Sequence, residues 1–176
     1  MKKIFFGFLF VITFTNVYSQ KFGYIDSNYI LSKMSEFGEA QGELDKLSKQ
    51  WQTEIADQYK EINSMHETFQ AEAVLLTAEM KEERQLEIQN KEEEVKAHQL
   101  KIFGANGLYF LKKKELIEPL QDKIFEAVEK VCKTHKLSIM FDKSGELIMV
   151  YTDPRHDYTD YVLEELGLGD PNDVIK

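Results

Sequence analysis

LDKLSKQWQTEIADQYKEINSMHETFQAEAVLL, residues 44–76, is the stretch that decides the fold. Apolar side chains recur at Leu44, Leu47, Trp51, Ile55, Tyr59, Ile62, Met65, Phe69, Ala73 and Leu76, in steps of three and four, and polar residues fill the rest of the circumference. That pattern is one narrow stripe on a long helix. A helix of about forty residues extends about 60 Å at 1.5 Å per residue. It cannot lie inside a globule of this chain's size, so an equally long element must cover the stripe. The chain supplies one after Thr77, with Met80, Leu86, Ile88, Val95, Ile102, Tyr109 and Leu116. TAEMKEE, residues 77–83, reads as its start, with Thr77 as N-cap and Glu79 near the positive end of the helix dipole. The two segments form an antiparallel helical hairpin whose tip lies near residues 73–77.

Working outward, the stretch from Phe37 to Leu137 is rich in Glu, Lys, Gln, Leu and Ala and holds a single proline, Pro119. Gly104 and Gly107 interrupt the returning limb, opposite the region of Lys49 to Trp51. Glycine inside a helix costs about 1 kcal/mol relative to alanine, so two readings stand. Either the Trp51 indole packs over a small-residue face and the arm bends there, making Trp51, Gly104 and Gly107 a hinge, or the glycines fray the helix. Beyond Pro119 the stripe becomes denser at Leu120, Ile124, Val128 and Val131, as in a helix entering a core. LSIMFD, KSGE and LIMVYT, residues 137–152, read as a β-hairpin, and HDYTDYVLEELG, residues 156–167, as a short last helix. At the other end, FGYID, residues 22–26, reads as a strand, and Asp26 caps the helix that follows.

The fold class is therefore α+β: a small β-body with a long antiparallel helical hairpin projecting from it. The divisions are 1–19 leader, 20–42 body, 43–118 arm, 119–169 body and 170–176 tail. The leader, MKKIFFGFLFVITFTNVYS, has Lys2 and Lys3 before a short apolar run, the pattern of a secretory signal peptide cleaved near Ser19–Gln20. Without those two lysines, 20 basic residues face 31 acidic ones, a formal charge of −11. That balance disfavours nucleic acid and anionic lipid as general partners. The single cysteine, Cys132, makes no internal disulfide. A small exported body without disulfides that carries a long arm gains by burying its strands between subunits.

No constellation for catalysis, cofactor or metal emerges. HETFQ, residues 66–70, lacks the second histidine of a zinc-peptidase helix. Cys132 and His135 are two ligands at most, and DKSGE, residues 142–146, is explained by a turn rather than a calcium loop. The expectation is a protein that is not an enzyme. What remains is apolar surface that a two-helix arm cannot bury, at Met65, Phe69, Leu75, Leu76 and Met80, suited to partners without fixed shape.

FGYIDSNYIL after a leader, LLTAEMKEERQLEIQNKEEEV, KKKELIEPLQDKIFEAVEKV running into LSIMFDKSG, and TDPRHDYTDYVLEELGL together resemble the Skp/OmpH family of periplasmic chaperones, across essentially the whole mature chain. The resemblance implies a jellyfish-shaped homotrimer. Phe22, Tyr24, Ile25, Ile139, Phe141, Ile148 and Val150 would build the trimer body, and the arms would enclose a cavity that holds unfolded outer-membrane proteins in the periplasm without ATP. The chain departs from the best-known members in charge. They are basic, with positive arm tips suited to acidic clients and lipopolysaccharide, so a lipopolysaccharide or membrane site is not carried over to this acidic chain. The expected function is an ATP-independent holdase; the alternative is an envelope adaptor whose coiled-coil arms bind one defined partner.

Overall fold

A computed structural model describes residues 20–146 and 148–169; the leader and the tail expected from the sequence lie outside the described residues. Strand β1 (Lys21–Ile25) leads into α1 (Ser27–Lys33), α2 (Ser35–Glu72), α3 (Ala78–Phe103), α4 (Leu108–His135), β2 (Leu137–Asp142), a 3-10 turn (Pro154–His156) and α5 (Thr159–Glu165). β1 and β2 form a parallel two-stranded sheet, with Phe22 opposite Ile139, Tyr24 opposite Phe141 and Ile25 opposite Asp142. Parallel neighbours need a long crossover. Here the crossover is the arm itself.

Two helix starts have a local cause in a side-chain cap. Asp26 is extended (φ −112°, ψ 93°) and accepts from the Tyr29 N–H at 2.8 Å, while Thr77 accepts from the Met80 N–H at 3.3 Å. α1 and α2 are separated by one extended residue, Met34, whose side chain is buried in the body. α4 ends where Lys136 turns left-handed (φ 56°) and its N–H reaches the Cys132 and Lys133 carbonyls, a common C-terminal stop.

Two apolar cores result. The body core gathers Ile25 from β1, Ile30 and Leu31 from α1, Met34, then Leu120, Ile124, Ala127 and Val131 along one face of α4, and Val162 and Leu163 from α5. The arm core consists of Ile55 and Ile62 on α2 facing Ile88, Val95 and Ile102 on α3, with Trp51, Met65 and Phe69 packed beside them. Spacings of seven residues on both limbs are those of a left-handed coiled coil. α2 and α4 run through both regions without a break, so residues 42–43 and 118–119 lie inside helices.

One expected element is absent. Residues 148–152 are not a strand, so the segment after Asp142 does not close a hairpin. Ile148, Val150 and Tyr151 are 88%, 96% and 82% exposed. β-branched composition favours a strand only where a pleated, half-buried surface receives it. β2 instead pairs with the distant β1, and Met149 and Tyr151 pass beside Phe22 and Phe141 on the sheet's face.

Candidate functional site

The arm's limbs are aligned by polar contacts that cross between them. Tyr59 Oη donates to Gln99 at 3.1 Å, His66 meets Glu92 at 2.7 Å, Lys91 meets Glu61 at 3.1 Å, and Lys112 meets Glu43 at 3.2 Å. The hydrogen bonds that Lys112 donates to Glu115 and Glu43 push its ammonium above the ordinary lysine range. Exposed pairs of this kind contribute little each, but together they fix the register that the isoleucine and valine core requires.

At the tip, two antiparallel helices joined by a short turn leave apolar groups uncovered. Val74 and Leu75 are 86% and 82% exposed, and Met80 and Leu86 are exposed as well. Leu76 is half-buried. Met65 and Phe69 pack against the arm core and, with Leu76 and Ile88, floor a cleft of about 300 Å³ whose rim carries Glu61, Glu72, Arg84 and Glu87. Of the five apolar tip residues singled out from the sequence, Leu75 and Met80 thus face solvent, and Met65, Phe69 and Leu76 line the cleft.

Between α3 and α4 the chain makes a tight break at residues 104–107. A Cβ on Gly107 would overlap the Ile102 carbonyl oxygen and lie 2.7 Å from its carbon and 2.9 Å from the Lys101 oxygen; one on Gly104 would overlap the Leu100 carbonyl oxygen. The glycines answer a close approach of backbone to backbone. Trp51 meets Phe103 edge-on at 6.3 Å, and Phe103 contacts Tyr109 at 6.0 Å, so the indole packs on the ring that precedes the break.

In the body, Tyr24 and Ile25 are buried, whereas Phe22, Ile139 and Phe141 are exposed along with Ile148 and Val150. Phe22, Tyr24 and Phe141 border a hollow of about 420 Å³ with Met149, Tyr151 and His156. A groove of about 490 Å³ lies beside Ile25, Leu31, Ile124, Phe125, Cys132 and Met140. Burial raises the Cys132 thiol above its ordinary range. Among the described residues no group of three or more His, Cys, Asp or Glu side chains is placed to hold a metal ion.

The family model for outer membrane protein (OmpH-like) matches residues 21–166. The chain belongs to the OmpH-like family. An uncharacterized protein of Aquifex aeolicus (strain VF5) is 30% identical over 149 residues, covering 85% of this chain and 87% of that protein. The crystal structure of an OmpH-like protein from Caulobacter crescentus CB15, described as an outer membrane chaperone, superposes with a TM-score of 0.63 at 14% identity, covering 85% of this chain and 84% of that one. At that identity the likeness shows the fold: a small sheet with a long helical hairpin.

Sequence reading missed a polar knot that joins the two ends of this OmpH-like chain. Asp142, at the end of β2, accepts from the Ser27 N–H at 3.2 Å and from the Ser27 hydroxyl, and from the Ser144 N–H at 3.0 Å and hydroxyl at 2.7 Å. Ser144 Oγ also accepts from the Asn28 N–H at 3.2 Å. The free N–H groups that open α1 are therefore satisfied by residues more than a hundred positions away as well as by Asp26. Burial works against the Asp142 charge, but the Ser27 and Ser144 hydrogen bonds prevail and hold its carboxyl below the usual aspartate range. Lys143 lies 3.6 Å from Asp26 and 3.7 Å from Asp157 and adds the segment before α5 to the two that the knot joins. Phe125, 69% exposed beside the body stripe, is the other omission. Its signal was an apolar residue next to Ile124, outside the spacing that the core uses.

Proposed function

We infer that this chain is an ATP-independent holdase chaperone of the periplasm. It works as a homotrimer, with its signal peptide removed near Ser19–Gln20, and shields unfolded outer-membrane proteins between its arms. The observation that carries the reading is the distribution of uncovered apolar surface. One patch surrounds the sheet, at Phe22, Ile139, Phe141, Ile148 and Val150, and another crowns the arm, at Val74, Leu75, Met80 and Leu86. Large exposed apolar patches mark interaction sites. The first is suited to other copies of the body and the second to clients. OmpH-like family membership and the chaperone described from Caulobacter crescentus support the same reading.

The mechanism needs no covalent chemistry. Side chains such as Met80 and Leu75 adapt to apolar segments of any sequence. Each contact is weak, but three arms holding one chain multiply the contacts through their effective concentration. Client segments kept apart in this way do not meet one another, and release follows when a folded β-barrel offers them a better partner. Lipopolysaccharide binding is not part of the proposal, because a formal charge of −11 repels it.

The deciding experiment dilutes a denatured β-barrel outer-membrane protein from urea with and without the mature chain and follows light scattering. Suppression at a stoichiometric trimer ratio is expected, and undiminished scattering at excess trimer would sink the reading. Sedimentation of the same preparation should give a trimer; a monomer would remove the cavity. An adaptor with one defined partner would instead yield a single species in a pull-down and leave scattering unchanged.

A further inference from the structure

The charge of the arm is not evenly spread. From Met65 to Glu87 there are six carboxylates, Glu67, Glu72, Glu79, Glu82, Glu83 and Glu87, against two cations, Lys81 and Arg84. α4, by contrast, carries six lysines and five carboxylates and is nearly balanced. Arg84 is engaged by Glu87 at 2.7 Å; that hydrogen bond, with weaker attraction from Glu72 and Glu83, raises its guanidinium further above its ordinary range. Among the described residues Glu67, Glu72, Glu79, Glu82 and Glu83 form no ion pair. These carboxylates share the tip with exposed Val74, Leu75, Met80 and Leu86 and with the Met65–Phe69–Leu76 cleft that Glu72 borders.

We propose that the arm tip is a docking surface for unfolded polypeptide segments rich in lysine or arginine, so that this holdase selects basic clients. The inference rests on the holdase reading above and names its client class. An apolar segment alone would satisfy the exposed tip but leave the carboxylates unanswered, and an acidic one would meet like charge. A lysine or arginine side chain satisfies both features, because its methylene stem lies on apolar surface while its cationic head stays at the wet rim. In the cleft, the stem rests on Met65 and Phe69 and the head reaches Glu72. Around the turn, Glu79, Glu82 and Glu83 raise the local concentration of basic segments and speed their capture.

The test uses the mature chain in its native assembly and three fluorescent unstructured peptides of identical apolar content, one basic, one neutral and one acidic. Anisotropy is read at low salt and at about 0.3 M salt, where screening shortens the reach of charge to a few ångströms. The expected result is a dissociation constant for the basic peptide about tenfold below that of the acidic one at low salt. The ratio should shrink in salt and vanish in a Glu72→Gln, Glu79→Gln, Glu82→Gln, Glu83→Gln variant whose helix content is unchanged. Equal binding of all three peptides overturns charge selection and leaves the holdase reading standing. Binding of none overturns the holdase reading and this inference with it. A preference that survives in the glutamine variant overturns the tip as its location.

Discussion

Replacing Gly107 by alanine asks whether the break in the returning limb is built or merely slack. The backbone there is ordinary, with φ −74° and ψ 174°, so an alanine is not disfavoured by conformation. If the break were slack, alanine would stabilise the protein by about 0.4–1 kcal/mol, through the lower entropy of the unfolded chain. The structure gives the opposite sign. The new Cβ would overlap the Ile102 carbonyl oxygen, and Ile102 is 1% exposed and locked among Val95 and Ile55 in the arm core. Opening the break means moving that core residue, an overpacking cost of about 1–3 kcal/mol. For a chain of this length, 2 kcal/mol corresponds to a melting temperature lower by roughly 4–8 °C. The assay is circular dichroism at the helix band, run at matched protein concentration because the proposed trimer would make melting concentration-dependent. Gly38→Ala and Gly42→Ala are the controls. Both positions lie inside α2 with open space where a Cβ would stand, and each should gain up to about 1 kcal/mol. A Gly107→Ala protein that melts at or above the parent temperature, beside controls that behave, refutes the reasoning.

Gly23→Ala should destabilise the body, because its Cβ would overlap the Tyr158 ring and sit 3.3 Å from Leu137 Cδ1. Tyr158 lies tilted against Tyr161 at 5.5 Å and edge-on to His135, so it has little room to yield; loss of the near-ultraviolet tyrosine signal at lower urea is the readout. Ile102→Ala should cost about 2–5 kcal/mol by opening a cavity in the arm core, measured as a lower urea midpoint. Met80→Ala, at an exposed position, should change it by less than about 0.5 kcal/mol. Asp142→Asn tests the knot through pH. The folded carboxyl lies below the ordinary aspartate range, so its contribution is present above that range and is lost as pH falls through the lowered folded value. The parent should therefore lose its advantage over Asp142→Asn on acidification, starting from about 1–3 kcal/mol near neutrality. A gap that widens toward acid would contradict the sign.

Much of the architecture was legible because its causes are local or periodic. The seven-residue spacing of Ile55 with Ile62 and of Ile88, Val95 and Ile102 marks the faces that meet, and Asp26 and Thr77 announce helix starts by the chemistry of their side chains. What stayed hidden depends on partners that sequence order does not bring together. LIMVYT has strand composition, yet residues 148–152 join neither edge of the two-stranded sheet. Asp142 looked like the start of a turn, and its bonds to Ser27 span 115 positions. Gly104 and Gly107 were ambiguous because the atoms that exclude a Cβ are main-chain carbonyls, which no side-chain pattern records. The tip was legible in kind, as apolar residues without a partner, but not in detail. Partial burial of Phe69 against exposure of Leu75 depends on which side of the turn each one faces.

The same geometry bears on whether the arm bends. A hinge across a two-helix arm must open both limbs at one level. The returning limb is interrupted at residues 104–107, but α2 runs unbroken from Ser35 to Glu72 and passes that level near Trp51. Bending there would have to be absorbed by α2's own hydrogen bonds or by sliding of Ile55 and Ile62 along α3. The break has a more direct role in the path of the returning limb. α3 follows α2 as a coiled coil with its core on Ile88, Val95 and Ile102, whereas α4 must deliver Leu120, Ile124 and Val131 to the body. In one continuous helix the two stripes would be locked in phase: at 100° per residue the step from Ile102 to Leu120 is five full turns, which fixes both on a single face. Once four residues are taken out of the helix, the phase of α4 is free, and it is reset by the Gly107 cap and by Phe103 between Trp51 and Tyr109. The glycines thus uncouple the register of the arm from the register of the body, which lets each core pack on its own terms.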